Sequence, residues 1–336
     1  MTSVPVAISE GRALVDEAMR AAVDRLDPLT RRVGAYHLGW IDTDGRPAEG
    51  GGKALRPALS LLSARAAGAA PEAALPGAVA VELVHAFSLL HDDIMDGDRT
   101  RRHRPAAWTV FGSSAAILGG DALLSLAAEL LLDEQTRGAH WAARCLTAAT
   151  RRLIAGQALD LDFEDRTDVS LDEVLTMSSD KTAALLACSC AVGAMLGEGP
   201  PALISELTAF GSELGVAFQL MDDILGIWGS PRVTGKPVLS DLRARKKSLP
   251  VVSALTAGTA ASARLADLYA RPEQHSEAEL REMARLIEEA GGRAWAEAEA
   301  AQRLAQAERH LKDAEMKDEV RAEFLDIARF VLARDH

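Results

Sequence analysis

Two clusters of aspartates, in the segments DDIMD and DDILG, are the residues whose spacing most directly indicates chemistry. Asp92 and Asp96 of the first cluster are four residues apart, so on an α-helix they share one face, one turn from each other. Two carboxylates held this close repel each other unless a cation lies between them. Hard oxygen ligands suit Mg²⁺, which keeps several waters and takes further ligands from substrate phosphates. The first cluster therefore predicts a magnesium site.

The second cluster, at Asp222, repeats the context of the first. Each cluster ends a long apolar helical pattern, VELVHAFSLLH before Asp92 and LGVAFQLM before Asp222. The alternative is a solvated acidic helix end, which is common for paired carboxylates. Because both clusters terminate core-type helices, the pattern favours two facing helices of one bundle that deliver carboxylates to a shared cavity.

Basic residues supply the opposite charge in two segments. In GGGKALRP, Lys53 and Arg56 follow a glycine run, where backbone can approach an anion closely and arginine can bind phosphate oxygens with two hydrogen bonds. The segment RTRRHRP, directly after DDIMDGD, contributes four arginines: Arg99, Arg101, Arg102 and Arg104. A basic run by itself indicates a solvated loop, but beside an acidic cluster it favours a phosphate clamp. Together the four motifs describe a pocket for metal-bound and metal-free diphosphates.

Bulk composition excludes several other classes of protein. The net charge of −12 argues against nucleic acid as a partner, since phosphate-backbone binding needs a basic face. The three cysteines, Cys145, Cys188 and Cys190, have no paired metal spacing and are interpreted as core thiols in a reducing compartment. The N-terminus lacks a signal-peptide pattern, and the apolar run at 183–197 is shorter than the roughly 20 residues that span a bilayer. We therefore expect a cytoplasmic protein without a transmembrane segment.

The elements that must position these residues are predicted to be helices almost throughout. Strand signals are nearly absent, and apolar residues recur at helical spacing. Length leaves one or two domains open, but no linker-like composition divides the chain, so we predict one domain over 1–336. The predicted fold class is all-α, one large helical bundle around a central apolar cavity. Helical patterns cover 9–26, 54–67, 71–96, 113–134, 139–164, 170–196, 200–227 and 246–255, with three more amphipathic helices in 262–334.

The ordered motifs resemble those of a known family. GGKALRP, DDIMD, RRHRP, GQALDLDFE, KTA, FQLMDD and TGKPVLSDLRARKKS resemble, in order, the motifs of the trans-isoprenyl diphosphate (polyprenyl) synthases. The resemblance runs from about Gly50 to the C-terminal helices and is closest to the bacterial geranylgeranyl diphosphate synthase type. It implies an isoprenoid synthase-like bundle, a homodimer, Mg²⁺ as cofactor, and isopentenyl diphosphate and allylic prenyl diphosphates as substrates.

The resemblance also implies roles for individual residues. Those that would hold the isopentenyl diphosphate group are Lys53, Arg56, His85 and Arg102. Those that would ligate magnesium on the allylic diphosphate are Asp92, Asp96 and Asp222. Those that would contact the same allylic diphosphate are Arg101, Lys181 and Lys236, with either Lys246 or Lys247. Those that would support the reacting centre are Thr182, Gln157 and Gln219, with Asp160 and Asp241 as carboxylates behind the ligands.

Each implied role has an ordinary structural alternative. A histidine on an apolar helix, such as His85, is more often a satisfied core residue. Lys181 and Thr182 would also suit a helix start after a cluster typical of N-caps. The two glutamines would also suit buried amides bonded to backbone. Agreement among the surrounding motifs favours the functional role in each case.

Two positions depart from the family pattern. Gly226 stands where the second motif usually has its last aspartate, which predicts fewer contacts for a magnesium ion there. Ala54 replaces an arginine of the GGKRLRP pattern and removes one charge. Since Asp222, Lys53 and Arg56 remain, we expect both diphosphate sites to survive.

The expected reaction is ionisation of the allylic diphosphate, attack on the cation by the double bond of isopentenyl diphosphate, and loss of a proton. No side-chain nucleophile is needed, which agrees with the absence of a GxSxG, HExxH or P-loop motif. One alternative is a related terpene cyclase, which needs no second diphosphate site. The other is a non-catalytic partner subunit, which usually has damaged motifs.

Product length is expected to depend on the helix that carries the first cluster. Ser88 is nearly one turn before Asp92 and lies beneath it, whereas Phe87 is rotated to one side, beneath His91. A small residue at 88 leaves room and an aromatic residue at 87 closes part of the channel, a combination that resembles the C20 pattern. We therefore expect geranylgeranyl diphosphate as product, with C15 farnesyl or somewhat longer chains as alternatives.

Overall fold

The structure is a computed structural model that describes residues 4–48, 50, 52, 54–230, 238–271 and 274–332. Lys53 and Lys236, two of the predicted phosphate ligands, lie outside the described residues. Within these limits the chain is helical almost throughout, with one two-stranded antiparallel hairpin. The all-α prediction is confirmed, and the single domain stays a prediction.

The first half of the chain carries the first acidic cluster. Its helices are α1 (Val6–Val23), α2 (Pro28–His37), α3 (Leu55–Ala66), α4 (Leu75–Met95), α5 (Ala107–Phe111), α6 (Ser113–Leu132) and α7 (Arg137–Asp165). A 3₁₀ turn, Pro71–Ala74, precedes α4, and the hairpin strands are β1 (Thr100–Arg101) and β2 (Arg104–Pro105).

The second half carries the second cluster. Its helices are α8 (Leu171–Ser178), α9 (Ala184–Leu196), α10 (Pro201–Trp228), α11 (Ser240–Arg243), α12 (Leu249–Thr256), α13 (Ala260–Tyr269), α14 (Glu277–Glu289), α15 (Gly292–Asp313) and α16 (Asp318–Leu332). A short π-helix, Ser179–Ala183, joins α8 to α9.

Local capping chemistry explains two differences from the predicted helices. No helical pattern was predicted between residues 26 and 54, but Asp27 caps α2 by accepting hydrogen bonds from the backbone N–H of Leu29 and Thr30, and Pro28 is the first residue of this helix. The C-terminal part, 262–334, was expected to hold three helices, and its described residues form four. Thr259 and Ser276 each form a capping box, so α13 and α14 begin as separate helices.

The core positions the two cluster-bearing helices. The helix α4 packs against α3, α6 and α9, while α10 packs against α9 and α15. At one close approach, a Cβ added to Gly193 of α9 would overlap the Ser60 carbonyl of α3, and the Ser60 hydroxyl donates a 2.7 Å hydrogen bond to the Ser189 carbonyl. Cys188 and Cys190 are buried thiols, as expected, and Cys145 is half-buried. The helix α9 therefore connects the two, because it contributes Leu185 and Val192 to the apolar cluster of α4, and Leu186 and Ala194 to an apolar cluster of α10.

Two helical segments, residues 71–95 and 113–132, are long and apolar enough to cross a membrane by length and composition. Both are longer than the apolar run considered from the sequence. Core helices of globular proteins also meet this criterion, and the segment containing α4 is mostly buried inside the bundle. The absence of a transmembrane segment stays a prediction.

Candidate active site

The two aspartate clusters converge on one cavity of about 410 Å³. Asp92 and Asp96 reach it from the C-terminal end of α4, and Asp222 reaches it from the C-terminal part of α10. The other charged or amide side chains that line it are Asp98, Arg101, Asp160, Lys181, Gln219, Asp223, Asp241, Lys246 and Lys247. The shared cavity predicted from the repeated motif is therefore present.

The two outer aspartates of the first cluster lie on the last turn of α4. Asp96 is the C-cap of the helix, and its N–H donates a 2.8 Å hydrogen bond to the Asp92 carbonyl. Burial, opposed by Lys181 and reinforced by the Asp96 charge, raises the pKa of Asp92 to about 6. A cation between the two carboxylates would remove the cost of ionising Asp92 beside Asp96.

The middle aspartate of the first cluster has a different partner. Asp93 is 1% exposed, and its Oδ1 accepts a 2.7 Å hydrogen bond from Arg101 Nε. Because a buried carboxylate needs a charged or hydrogen-bonding partner, Asp93 fixes the Arg101 guanidinium at the cavity wall. The sequence identified Arg101 but gave Asp93 no role.

A hydrogen-bonded chain links the elements on the far side of the cavity. The Thr182 hydroxyl donates to Gln219 Oε1 at 2.6 Å, and Gln219 Nε2 donates to Asp223 Oδ1 at 2.7 Å. Asp223 Oδ2 accepts from the Leu249 N–H at 2.9 Å. Burial, followed by the Asp241 charge, raises the pKa of Asp223 to about 7. This chain orients the Gln219 amide towards Thr182 and ties α10 to the start of α12.

Lys181 enters the cavity from the π-helix, a feature that often marks functional sites. Its Nζ donates a 2.5 Å hydrogen bond to Asp160 Oδ2 of α7. Gly156 permits this approach, because a Cβ there would overlap the Lys181 backbone. The sequence predicted an unbroken helix over 170–196. The structure differs from this prediction because the π-helix Ser179–Ala183 interrupts the α-helix.

The basic run RTRRHRP forms the hairpin rather than a loop. Thr100 pairs with Pro105 and Arg101 with Arg104, leaving Arg102 and His103 as a two-residue turn. Both turn residues have positive φ, 50° and 62°, as a type I′ turn requires. Such strain in side-chain-bearing residues is concentrated at functional sites.

The four arginines of this run separate. Arg104 donates to the Ile41 carbonyl at 2.6 Å and lies over the Tyr36 ring, while Arg99 lies over the Trp108 ring. Arg101 lines the carboxylate cavity, and Arg102 lines a second cavity of about 190 Å³. Two of the four arginines are therefore placed at different cavities, and their role as a phosphate clamp stays a prediction.

A second cationic group contains Arg56, His85 and Arg102. Burial, then the charges of Arg56 and Arg102, lower the pKa of His85 well below its ordinary value, so the imidazole is neutral near pH 7. The pKa of Glu82 is raised because the side chain is buried, and the positive charges of Arg56 and Arg102 oppose part of this increase. A Cβ on Gly52 would lie 3.0 Å from the Arg102 guanidinium, which explains a glycine in this loop. Glu82 is a counter-ion that the sequence did not identify.

The model of the polyprenyl synthetase family matches residues 46–287 of this chain. The chain belongs to the polyprenyl synthetase family. A (2E,6E)-farnesyl diphosphate synthase of Mycobacterium bovis is 50% identical over 325 residues, covering 96% of this chain and 90% of that protein. A geranylgeranyl diphosphate synthase of Mycobacterium tuberculosis is 43% identical over 301 residues, covering 86% and 85%.

Solved structures of polyprenyl synthetases have the same architecture. The polyprenyl synthetase of Streptomyces coelicolor A3(2) is 52% identical, with a TM-score of 0.94 over 98% of this chain and 100% of that chain. A geranylgeranyl pyrophosphate synthase of Corynebacterium glutamicum, complexed with isoprenyl diphosphate and magnesium, is 26% identical, with a TM-score of 0.84 over 99% of each chain. The isoprenoid synthase-like fold and the predicted class, a trans-prenyltransferase of isoprenoid biosynthesis, are confirmed.

In this polyprenyl synthetase the two candidate lysines have different surroundings. Burial lowers the pKa of Lys246, but carboxylates led by Asp160 and Asp241 outweigh it, and the pKa is raised. Lys247 Nζ instead donates to the carbonyls of Phe163 and Glu164 at the end of α7. The geometry therefore favours Lys246 as the cation of the carboxylate cavity, a choice that the sequence left open.

The remaining predicted residues of the synthetase lie inside the bundle. Phe87 and His91 pack edge to face with ring centroids 4.8 Å apart, as helical spacing predicts, and the Ser88 hydroxyl donates to the His85 carbonyl at 2.9 Å. Gln157 is 5% exposed, and within the described part of the chain neither of its amide atoms has a hydrogen-bond partner. Because leaving a buried amide unpaired costs free energy, Gln157 is suited to a ligand contact.

Proposed function

We propose that this trans-prenyltransferase condenses isopentenyl diphosphate with an allylic diphosphate, geranyl or farnesyl diphosphate, and releases pyrophosphate. The observation that carries the proposal is the separation of two anion-binding groups. One contains carboxylates and cations together, Asp92, Asp96 and Asp222 with Lys181 and Lys246. The other contains Arg56, His85 and Arg102, with Glu82 as an opposing charge.

The carboxylate cavity suits Mg²⁺. Among the described residues no group of three or more His, Cys, Asp or Glu is arranged to hold a metal ion by itself. Mg²⁺ typically takes one or two carboxylates and completes its coordination with waters and substrate phosphates. Asp92 and Asp96 would supply carboxylates to one ion, and Asp222 would supply a carboxylate to another. When bound, such ions would supply charge stabilisation for the departing pyrophosphate. The magnesium named with the Corynebacterium synthase supports this assignment.

The protein side chains supply binding and charge in each step. Arg101, Lys181 and Lys246, with Lys236, would balance the pyrophosphate as the allylic C–O bond breaks. Arg56 and Arg102, with Lys53, would hold isopentenyl diphosphate so that its double bond forms the new C–C bond. Thr182, Gln157 and Gln219 would face the reacting centre. The proton that is lost passes to the leaving pyrophosphate, so no side-chain base is required.

The experiment that tests this proposal is incubation of the purified protein with farnesyl diphosphate and Mg²⁺, with and without isopentenyl diphosphate. Elongation only when both substrates are present is the expected result. Conversion of farnesyl diphosphate alone to a hydrocarbon would favour a terpene cyclase. Absence of any product with every allylic primer would favour a partner subunit.

We place the protein in the cytoplasm, where these substrates are soluble.

For product length, we propose C15 farnesyl diphosphate as the main product, with C20 as the second candidate. The relative at 50% identity is a farnesyl diphosphate synthase, and the relative at 43% is a geranylgeranyl diphosphate synthase. The small side chain at Ser88 is the specific feature that favours C20, because it leaves room one turn beneath Asp92. Chromatography of the dephosphorylated products from isopentenyl diphosphate and each primer distinguishes the two.

Ser88→Phe is expected to shorten the main product by one C5 unit. Ser88 is 7% exposed and lies on α4 beneath Asp92, so an aromatic ring there would fill the path of the growing chain. Ser88→Ala is the matched control, because it removes only the hydroxyl contact to the His85 carbonyl, and its products should not change.

Phe87→Ala is expected to lengthen the product, by a smaller fraction, since Phe87 packs sideways on His91. Identical products from the parent protein and all three variants would mean that neither Ser88 nor Phe87 limits the length of the growing chain.

Arg56→Ala is expected to raise KM for isopentenyl diphosphate about tenfold to a hundredfold, as loss of a charged hydrogen bond of roughly 1.5–3 kcal/mol implies. KM for the allylic substrate should change much less, because Arg56 belongs to the group with His85 and Arg102. Steady-state kinetics with each substrate varied in turn checks this. Arg99→Ala, which removes an arginine stacked on Trp108, is the control and should change neither constant. Equal effects of Arg56→Ala on both constants would mean that the pockets are wrongly assigned.

We propose that the protein is a homodimer formed through α6 and α7. These helices expose large apolar side chains that include Leu118, Leu132 and Trp141, at 53%, 68% and 50% exposed. Apolar surface of this kind is typical of interfaces. Leu118→Asp should shift the mass measured by light scattering from dimer to monomer. Val6→Asp, at an exposed position on α1, should leave the dimer intact. A monomeric parent protein, or a Leu118→Asp dimer of unchanged stability, would contradict this interface.

A further inference from the structure

The second cavity, of about 190 Å³, lies next to the carboxylate cavity, and Arg101 lines both. Its wall combines the end of α2, the loop before α3 and the hairpin. The charged side chains that line it are Arg101, Arg102 and Arg104, and they are joined by the imidazole of His37. None of its described lining residues is acidic. A pocket of this composition favours an anion, and guanidinium groups suit the oxygens of a diphosphate.

The end of α2 is held at this cavity by contacts with the hairpin. The Tyr36 hydroxyl donates a 2.8 Å hydrogen bond to the Pro105 carbonyl, and the Arg104 guanidinium lies 4.4 Å from the centre of the Tyr36 ring. Arg104 also donates to the Ile41 carbonyl beyond the helix. His37, the last residue of α2, is therefore held beside the hairpin, where it lines the cavity.

The loop before α3 joins the cavity to the predicted site for isopentenyl diphosphate. Gly39 and Gly50 both line the cavity, and a Cβ on Gly50 would lie 2.9 Å from the Gly39 carbonyl oxygen. Gly50 begins the segment GGGKALRP, so the cavity adjoins that motif. After burial and the nearby arginines, the charge of His37 is a further cause that lowers the pKa of His85. His37 thus lies within electrostatic reach of the group proposed to hold isopentenyl diphosphate.

The imidazole of His37 is available to a ligand. The residue is half-buried, and within the described part of the chain its ring has no hydrogen-bond partner. Burial, followed by the charges of Arg101, Arg102 and Arg104, lowers the pKa of His37 to about 3, so the ring is neutral near pH 7. A neutral imidazole keeps one N–H donor. It can therefore donate to a phosphate oxygen without adding a cation that repels the arginines before the substrate binds.

We infer that His37 is a further binding residue for isopentenyl diphosphate, and that its imidazole N–H donates a hydrogen bond to the diphosphate group beside Arg102. The inference rests on the proposed function of the anion-binding group that contains Arg56. Because the family resemblance begins at about Gly50, the sequence gave His37 no role. The presence of Arg101 in both cavities would place this diphosphate next to the allylic one, as a reaction between the two substrates requires.

His37→Leu is expected to raise KM for isopentenyl diphosphate about tenfold, as loss of one hydrogen bond to a charged group implies, while kcat and KM for the allylic substrate change less than about threefold. Steady-state kinetics with each substrate varied in turn measures these constants. His37→Gln and His37→Asn place an amide donor near the positions of Nε2 and Nδ1, so at least one of them should recover most of the loss. His37→Ala replaces His37→Leu if the leucine variant does not fold.

His103→Asn is the matched control. His103 is exposed at the hairpin turn and does not line the cavity, and asparagine tolerates the positive φ of this position. Its kinetic constants should equal those of the parent protein. Melting temperatures of all the variants are measured in parallel, and that of His37→Leu should stay within a few degrees of the parent.

An unchanged KM for isopentenyl diphosphate in His37→Leu would overturn the inference. So would equal rises in KM for both substrates, or equal losses in the Leu, Gln and Asn variants, since either result would assign His37 only to the packing of α2 on the hairpin. Arg56→Ala separates these results from failure of the proposed function. If Arg56→Ala raises KM for isopentenyl diphosphate and His37→Leu does not, only the role of His37 is overturned. If neither variant raises it, the isopentenyl diphosphate site itself is wrongly placed.

Discussion

Asp92→Ala and Asp222→Ala are each expected to lower turnover by about 10³-fold or more, since charge stabilisation by a bound ion contributes several kcal/mol to the transition state. Both carboxylates line the cavity that receives the allylic diphosphate in the proposed function. Single-turnover rates at saturating Mg²⁺ and substrates measure the effect. Near-normal rates in both variants would remove the basis of the site assignment.

The fold of Asp92→Ala should be intact, and its stability gives an independent check. Burial, together with the charge of Asp96, raises the pKa of Asp92 to about 6, so the folded protein without metal holds this proton more tightly than the unfolded chain. The contribution of Asp92 to stability is therefore fully present below about pH 4 and is lost as the pH rises through about 6. In EDTA at pH 7, Asp92→Ala should melt at the same temperature as the parent or higher. A large fall in melting temperature would mean that the activity loss reflects unfolding.

Lys246→Ala is expected to lower kcat/KM for the allylic diphosphate by about 10²-fold, as removal of one group that stabilises developing charge typically does. Carboxylates surround this lysine and keep it protonated at any working pH. Steady-state kinetics with the allylic substrate varied measures the loss.

Lys247→Ala is the adjacent, matched control. Lys247 donates to carbonyls at the C-terminal end of α7, where a cation caps the helix. Its removal should leave kcat/KM within a few-fold and lower the free energy of unfolding by about 1 kcal/mol. The reverse pattern, with Lys247→Ala the more damaging to catalysis, would exchange the two roles.

The parts of the site that were predictable from sequence are those carried by helical periodicity. Asp92 and Asp96 share a face because of the 3.6-residue repeat, and the apolar segments before each cluster predicted two core helices that end at a common cavity. The side-by-side placement of Phe87 and His91 follows from the same repeat. Such features depend only on residues within one helix.

The features that were missed depend on contacts between distant segments. Nothing local indicates that Asp93 of α4 accepts a hydrogen bond from Arg101 of the hairpin, or that Arg56 and Arg102 are close enough to Glu82 to act on its charge. The turn at Arg102 and His103 lacks the glycine or asparagine that normally announces a type I′ geometry. In each case tertiary packing determines a conformation that local propensity does not favour.

Gly226 illustrates a contact that the sequence did not predict. A Cβ at position 226 would overlap the Asp241 carboxylate of α11. Helical spacing describes neighbours along one helix and contains no information on which segment folds back on its end. The expectation of fewer magnesium contacts at the second cluster stays a prediction.

The most direct test of the central claim is anomalous diffraction from crystals grown with Mn²⁺, in place of Mg²⁺, and an unreactive thio analogue of the allylic diphosphate. We expect ions that bridge the diphosphate to Asp92 and Asp96 on one side and to Asp222 on the other, with the diphosphate also in contact with Lys181 and Lys246. Anomalous peaks only elsewhere on the protein, or an analogue bound in the group of Arg56, His85 and Arg102 while the carboxylate cavity stays empty, would contradict it.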